Sequence, residues 1–223
     1  MYVEVGAPIA DLVTLQDAKS HLRIVDTIST EVEPEDPEDE PTIVTSVEPE
    51  DPEDEPTIVT SHPDDDYIKG LITTAVEWGE AFQNRSWITR TITVYLDEWP
   101  DVPFYLPMPP IRSITSISYF APDNTETTLD PSTYWLAPDG ALCLAEGKTW
   151  PADALRSTMG VKIVYKAGYG DTASAVPKRC KQAVLLMVGH WYENRENVIV
   201  DATANQIPDA AEMLLYQERR VPI

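Results

Sequence analysis

Catalysis requires groups that converge and activate one another, and this chain offers few candidates. Its three histidines, His21, His62 and His190, are far apart in sequence, and none forms a His-x-x-x-His or His-Glu-x-x-His pair that could hold zinc. Each reads as a surface or locally hydrogen-bonded side chain. No Gly-x-Ser-x-Gly elbow, P-loop or dinucleotide fingerprint occurs. Ala167-Gly168-Tyr169-Gly170-Asp171 holds two glycines, but it follows an apolar run and is too short to cradle phosphate, so it reads as a strand-ending turn. Asp97 and Glu98 beside Trp99 are a carboxylate pair of the kind that cleaves glycosides; next to Pro100 they read instead as a solvated turn. Asp64-Asp65-Asp66 could gather a cation, yet directly before a helical apolar pattern the triplet reads as a cap facing the positive end of a helix dipole. Cys143, between Leu142 and Leu144, and Cys180, on a helical stripe, read as buried free thiols. No catalytic, cofactor-binding or metal-ligating residue is assigned.

The elements that would carry such groups follow from periodicity. Thr14 to Val25 reads as a helix, with Thr14 as N-cap, Asp17 three residues on, and Leu15, Ala18, Leu22 and Val25 on one stripe. A longer helix follows the aspartate triplet, its apolar face carrying Ile68, Leu71, Ile72, Ala75, Gly79 and Phe82. The period then drops to two: Ile88, Ile92, Val94 and Leu96 alternate with Thr89, Thr91, Thr93 and Tyr95, a half-buried strand. Further strands are expected at Phe104–Leu106, Ile111–Phe120, Tyr134–Ala137, Ala141–Leu144 and Val161–Ala167. The apolar phase slips between Ile114 and Ile117, which predicts a bulge. Residues 122–124 (Pro-Asp-Asn) and 138–140 (Pro-Asp-Gly) supply turns. Helix returns at Val176-Pro177, with Cys180, Ala183, Val184, Met187, Val188 and Trp191 in register and Leu185 and Leu186 widening the stripe. A last short helix is expected from Pro208 to near Arg219-Arg220. The pattern predicts an α+β fold, a helical bundle with an inserted, mostly antiparallel β unit. Its parts are N-terminal helices in 1–26 and 63–86, an acidic Pro-rich insertion at 27–62, the β unit at 87–170, and C-terminal helices and arm at 171–223.

The net charge is −22, but Val32–Ser61 holds twelve acidic residues and no Lys or Arg, leaving −10 elsewhere. Binding to nucleic-acid phosphates depends on clustered cations that release counterions, which this composition disfavours. Val32–Ser46, VEPEDPEDEPTIVTS, is repeated without change as Val47–Ser61. Three prolines and six acidic residues per copy cannot bury enough apolar surface to offset chain entropy, so the insertion is expected to be disordered or extended. Its spacing lacks the central Gly of an EF-hand loop. Each copy ends in Thr-Ile-Val-Thr-Ser, a β-prone patch able to pair with a sheet edge. No apolar run reaches 18 residues, so no membrane span is expected; Met1 to Leu15 has neither the basic nor the apolar region of a secretory signal, and the two cysteines suit a reducing cytosol.

One set of segments is diagnostic. His190-Trp191-Tyr192-Glu193-Asn194-Arg195-Glu196, following the helix begun by Val176-Pro177, occurs with Leu106-Pro107-Met108-Pro109-Pro110-Ile111-Arg112-Ser113-Ile114-Thr115-Ser116-Ile117 and with Val164-Tyr165-Lys166-Ala167-Gly168-Tyr169-Gly170. In this order they resemble the tailed-bacteriophage and prophage head–tail connector family, also called head completion or adaptor proteins. The Leu15–Leu22 helix, the Asp-Asp-Tyr-Ile start of the second helix and Leu214-Leu215 before Arg219 fit the same pattern. The resemblance departs at Thr27–His62, where family members have a short loop.

The resemblance implies a structural virion protein, made in the host bacterial cytoplasm and placed at the neck. It implies a homo-oligomeric ring of twelve copies that joins the portal to the next neck or tail-completion component and extends the DNA channel. DNA would pass without sequence-specific binding, an acidic wall denying its phosphates a site. The resemblance makes Pro208–Ile223 a portal-facing arm. Candidate interface residues are Tyr192, Arg195, Pro208, Leu214, Leu215, Tyr216, Arg219 and Arg220, whose aromatic and arginine members are the types that dominate interfaces. Two other readings compete: a tail-completion or neck stopper protein, and a carbohydrate-binding or hydrolytic β module using Trp135 and Trp150 as platforms.

Overall fold

A computed structural model describes residues 1–30, 58–195 and 208–220. The chain runs β1 (Tyr2–Val5), α1 (Leu15–Leu22), β2 (Thr27–Thr30), β3 (Ile58–Ser61), α2 (Asp65–Gln83), β4 (Arg90–Leu96), β5 (Phe104–Tyr105), β6 (Ile111–Phe120), β7 (Glu126–Thr128), β8 (Tyr134–Leu136), β9 (Ala141–Leu144), β10 (Val161–Ala167), α3 (Lys178–Glu193) and α4 (Asp209–Tyr216). The fold is α+β, and its buried residues form two clusters, one among the helices and one between sheets.

The helical cluster is assembled from stripes that the spacing predicts. Ile68, Ile72 and Ala75 of α2 meet Cys180, Ala183, Val184, Met187 and Val188 of α3, and Ala211 and Leu215 of α4 close the group. Thr14 caps α1 with a capping box: its hydroxyl accepts the Asp17 N–H at 3.1 Å, and the Asp17 carboxylate accepts the Thr14 N–H at 3.1 Å. Arg23 then turns left-handed at φ 58° and stops the helix. Val25, expected on the α1 stripe, therefore lies beyond the helix and is 85% exposed. Lys19 of α1 is buried between Asp26 and Asp65, the latter at 2.6 Å. Burial works against its charge, but the hydrogen bonds to the two carboxylates outweigh that and raise its pKa above the ordinary lysine value.

Three sheets are present among the described residues. The largest is antiparallel throughout, in the order β1-β4-β10-β6-β7; β5-β9-β8 form a three-stranded sheet and β2-β3 a pair. Ile92, Val94 and Leu96 of β4, Ile117 of β6 and Val161, Ile163 and Tyr165 of β10 face Leu106, Leu129 and Leu142 in the second core, as period-two patterning requires. The predicted bulge is present: Val164 pairs with Ser116 and Tyr165 with Ile114, so Thr115 is skipped and both isoleucines turn inward. A second slip skips Arg112, which leaves the ladder to donate to Thr89 Oγ1 and Asp171 Oδ1 at 2.9 and 2.6 Å.

Other expectations need correction. β1, which precedes the expected first helix and extends the main sheet, and β7 were not anticipated; both are short edge strands with exposed residues, too short to show a period. Ile88 stands outside β4, in a single parallel bridge to Gly170. The insertion is not irregular at its ends, where Thr27–Thr30 pair with Ile58–Ser61; the patch at the end of the second repeat thus pairs with the residues that precede the first. The expected disorder or extension of the intervening residues, and the first patch, lie outside the described residues.

Trp87, which is fully buried, belongs to the helical core and lies between the end of α2 and the start of β4. Its ring fills the space left by Gly79, where an added Cβ would lie 2.2 Å from the indole Cη2. Gly168, at φ +134°, lets β10 pass the Ile88–Thr89 peptide so closely that a Cβ would meet Ile88 C at 2.6 Å. Gly79→Ala tests this packing. Alanine favours a helix by about 1 kcal/mol, yet overpacking Trp87 should give a net loss of about 1–3 kcal/mol, read from the urea midpoint.

Candidate functional site

The candidate site is the seat of the C-terminal segment, built around Gln83 at the end of α2. Gln83 is fully buried and hydrogen-bonded in several directions. Its Oε1 accepts Trp87 Nε1–H at 2.7 Å, its Nε2 donates to the Leu215 carbonyl at 2.8 Å, and its own carbonyl accepts the Arg220 N–H at 3.0 Å. One amide therefore ties α2, α4 and the entry to the sheet together. Beside it Glu80, 4% exposed, accepts the Trp87 N–H at 2.7 Å and two bonds from Arg90 at 2.8 and 2.7 Å. Burial pushes the Glu80 carboxyl above its ordinary pKa; the Trp87 N–H and Arg90 pull the other way without cancelling it.

Past α4 the chain is held by side chains from three directions. Arg85 Nε donates to the Glu218 carbonyl at 2.6 Å, Tyr169 and Arg179 both bond the Glu218 carboxylate, and Arg179 also reaches Gln217 Oε1 at 2.8 Å. Arg219 lies over the Phe82 ring at 4.7 Å and Arg220 over Tyr105 at 5.3 Å. The outer face of α4 presents Met213, 72% exposed, and Tyr216, 65% exposed, three residues apart.

The end of α3 is fixed separately. Asp64 Oδ2 accepts the Tyr192 hydroxyl at 2.6 Å and an Arg195 N–H at 2.9 Å, and the guanidinium sits over the rings of Tyr67 and Tyr192 at 4.7 and 5.3 Å. The Tyr192 hydrogen bond prevails over the cost of burial and, with Arg195, holds the Asp64 carboxyl below 3.8. Asp64 is the N-cap position of α2, but its side chain serves α3 instead of capping its own helix. Asp65 takes the His62 N–H at 3.2 Å and Lys19.

The structure divides the expected interface residues. Tyr192 and Arg195 meet each other at Asp64, while Arg219 and Arg220 cover aromatic rings at the other end of α2. Pro208 is half-buried, its carbonyl accepting the Ala211 and Glu212 N–H groups in the first turn of α4. Leu214 packs against the helical core, and Leu215 is fully buried, so in this conformation Leu215 is a core residue without surface to offer a partner. Tyr216 is open to solvent. Sequence reasoning missed Gln83, Arg85, Tyr169, Arg179 and Glu218; Gln83, a polar residue one position past Phe82 on the apolar stripe, was the available signal.

Neither catalysis nor sugar binding gains support from the geometry. Trp150 stacks on Trp99 at 4.8 Å and 7°, with its N–H on the Pro100 carbonyl, whereas Trp135 is 50% exposed and bonds the Leu144 carbonyl, so the two expected platforms belong to different contacts. Asp97 accepts the Met159 N–H at 2.8 Å, as a turn residue does. Cys180 is a buried free thiol pushed up to about 12 by burial, and Cys143 is half-buried. Among the described residues no cluster could hold a metal ion, and no helix is long and apolar enough to cross a membrane.

Residues 57–208 match the model of a family described as head completion protein. No curated protein matches the chain. Among solved structures, a chain of the virion of a native gene transfer agent particle has a TM-score of 0.69 at 20% identity, covering 100% of this chain and 97% of that one. A chain from the neck of the empty particle, computed with C6 symmetry, gives 0.67 at 19% identity, with the same coverage. One from the neck of the native particle, computed with C12 symmetry, gives 0.59 at 24% identity over 70% of this chain and 84% of that one. At these identities the likeness establishes a shared fold.

Two substitutions test the site. Gln83→Leu leaves the Trp87 indole N–H and the Leu215 carbonyl without partners, and should cost about 2–5 kcal/mol; amide exchange should accelerate across 211–215 ahead of α3. Arg90→Ala strands the buried Glu80 charge and should cost about 3–5 kcal/mol at neutral pH. Because the folded-state pKa of Glu80 is raised, its contribution to stability is full below the ordinary value of 4.5 and falls as pH rises through the shifted pKa. The Arg90→Ala penalty should therefore shrink in acid, as denaturant titrations at both pH values would show.

Proposed function

The chain belongs to the head completion protein family, and on that footing we propose that it is a non-enzymatic structural subunit of the virion neck, one copy in a ring that joins the capsid portal to the next neck or tail component. The observation that carries this reading is the family match over residues 57–208, which spans α2, β3 to β10 and α3. Gene transfer agent necks whose chains share the fold were computed with C6 and C12 symmetry, which supports a ring and favours twelve copies.

The channel role rests on charge. The chain carries −22, and half of its sixteen lysines and arginines already face carboxylates: Lys19, Lys69, Arg90, Arg112, Lys162, Arg179, Lys181 and Arg195 each have an acidic partner within ion-pair distance. Cations so engaged release few counterions to DNA, so DNA passes without being held. The portal-facing surface is the C-terminal segment, presented as a helix already seated on α2 and α3 and offering Met213, Tyr216 and Arg219 outward. An eight-residue helix is not stable alone, so its seat makes the surface ready-formed and lowers the ordering cost of docking.

Mixing the purified chain with portal rings and viewing them by electron microscopy should show an added ring. Deleting 209–223 should abolish it, but also removes the buried Ala211 and Leu215. Met213→Ala with Tyr216→Ala should keep the thermal midpoint and weaken portal binding about tenfold or more, the scale of an interface hot spot. Unchanged portal binding in the double variant would refute the assigned face, and a chain that ignores portal but binds glycan would overturn the function.

A further inference from the structure

Charge is not spread evenly along the strands of the main sheet. Where β4 begins and β10 ends lies an open cavity of about 390 Å³, lined by Arg90, Arg112 and Lys166 and by Thr89, Thr91 and Ser113. Lys166 pairs with Thr91 on one side and Ser113 on the other, which fixes the group at one end of the sheet. Both hydrogen bonds of Arg112, to Thr89 Oγ1 and Asp171 Oδ1, leave from Nη1. Arg90 is held on Glu80 through Nη2, while its buried Nε has no hydrogen-bond partner among the described residues. Lys166 is exposed and acts on the Asp171 carboxylate from beyond ion-pair distance. Among the described residues, three cations thus share a cavity with one lining carboxylate, Asp171.

The other end of the same strands is acidic. Past Leu96, the side chains of Asp97, Glu98 and Asp101 are all exposed. Asp123 follows β6, and Asp153 accepts the Tyr119 hydroxyl at 2.9 Å. Arg156, at this end, is turned onto the Phe120 ring and the Met159 carbonyl. Glu98 is presented on a fixed backbone, because Asp97 before it accepts the Met159 N–H at 2.8 Å and Trp99 after it stacks on Trp150.

We propose that the basic cavity of one copy receives the Glu98 carboxylate, on the loop between β4 and β5, of a second copy, and that this contact joins neighbours in the ring. The inference rests on the ring reading above. The length of β4 separates the two patches by about 20 Å, at opposite ends of the sheet, so the contact joins unlike surfaces. A heterologous contact of this kind repeats by rotation and closes into a ring. Copies that each carry −22 repel one another, so assembly needs a place where attraction is local. A clustered set of cations supplies one on a chain with 16 lysines and arginines against 38 acidic residues. A carboxylate suits the planar donor fork of Arg112 and the hydroxyls around it. Duplex DNA suits the cavity less well, because it demands cations in series along its phosphates, whereas this cluster is small and has Asp171 in its wall.

Charge reversal in the full chain, with portal rings as template and ring formation scored by electron microscopy, tests the contact. Lys166→Glu and Glu98→Lys both fall at exposed positions, so each variant should keep the parent's thermal midpoint. Each alone should raise the concentration needed for ring formation about tenfold or more, because like charges then meet across the contact. An equal mixture of the two variants should form rings near the parent's concentration, since every contact in an alternating ring again joins unlike charges. The chain carrying both substitutions should do the same. Single variants that assemble like the parent, or a mixture no better than its components, would overturn the contact and leave the ring in place. Weaker binding of a DNA duplex by Lys166→Glu, with assembly unchanged, would also overturn it and give the cavity to nucleic acid. A parent chain that forms no ring on portal would remove the ring reading and this contact with it.

Discussion

The buried Gln83 amide is the contact on which the arrangement depends. A glutamine at 0% exposure is acceptable only because its polar atoms find partners, and these are Trp87, four residues on, and Leu215 and Arg220 from the far end of the chain. An apolar residue there could pack equally well and hold nothing in register. Trp87 passes the constraint on, because its ring is wedged over Gly79 while its carbonyl accepts the Tyr169 N–H at 2.9 Å at the end of β10. The helical and sheet cores are thus keyed to each other, and the C-terminal segment is keyed to both.

That arrangement explains why a chain without a catalytic constellation still buries charge. Glu80 with Arg90, and Lys19 with Asp26 and Asp65, are expensive to desolvate and are poor sources of net stability. What they supply is direction. Glu80 fixes the Trp87 backbone where the chain leaves α2, and Lys19 binds α1 to the start of α2 across the insertion. In the ring proposed above, such directional contacts would serve to present the same surfaces in every copy.

Much of this was legible in the sequence because it is periodic. The α2 and α3 stripes, β6 and β10, and the bulge at Thr115 follow from spacings of 3.6 or 2 in runs long enough to establish a phase. β1 and β7 were not legible, since four and three residues carry no phase and their place depends on partners far away in the chain. Val25 was misplaced for a similar reason: it extends the stripe of α1 correctly, but Arg23 adopts a left-handed turn that the stripe does not encode. At the candidate site, Tyr192, Arg195, Arg219 and Arg220 stood out by residue type. The groups that hold them did not, because Asp64 appeared to be a helix cap and Glu218 one acidic residue among many. Only the fold brings Asp64 to α3 and Tyr169 to Glu218.

The pairing of β2 with the end of the last repeat has a consequence for how the insertion can change over generations. Gain or loss of one whole repeat leaves the chain before Thr30 and after Ile58 with the same sequence and the same strand to pair. Removing either copy gives the same product, with the connection between the strands shortened from 27 to 12 residues. Loop-closure entropy changes by only about 0.7 kcal/mol over that range. Length can therefore drift in steps of fifteen residues at almost no cost to folding, and the fold behaves as a fixed mount for an appendage of adjustable reach.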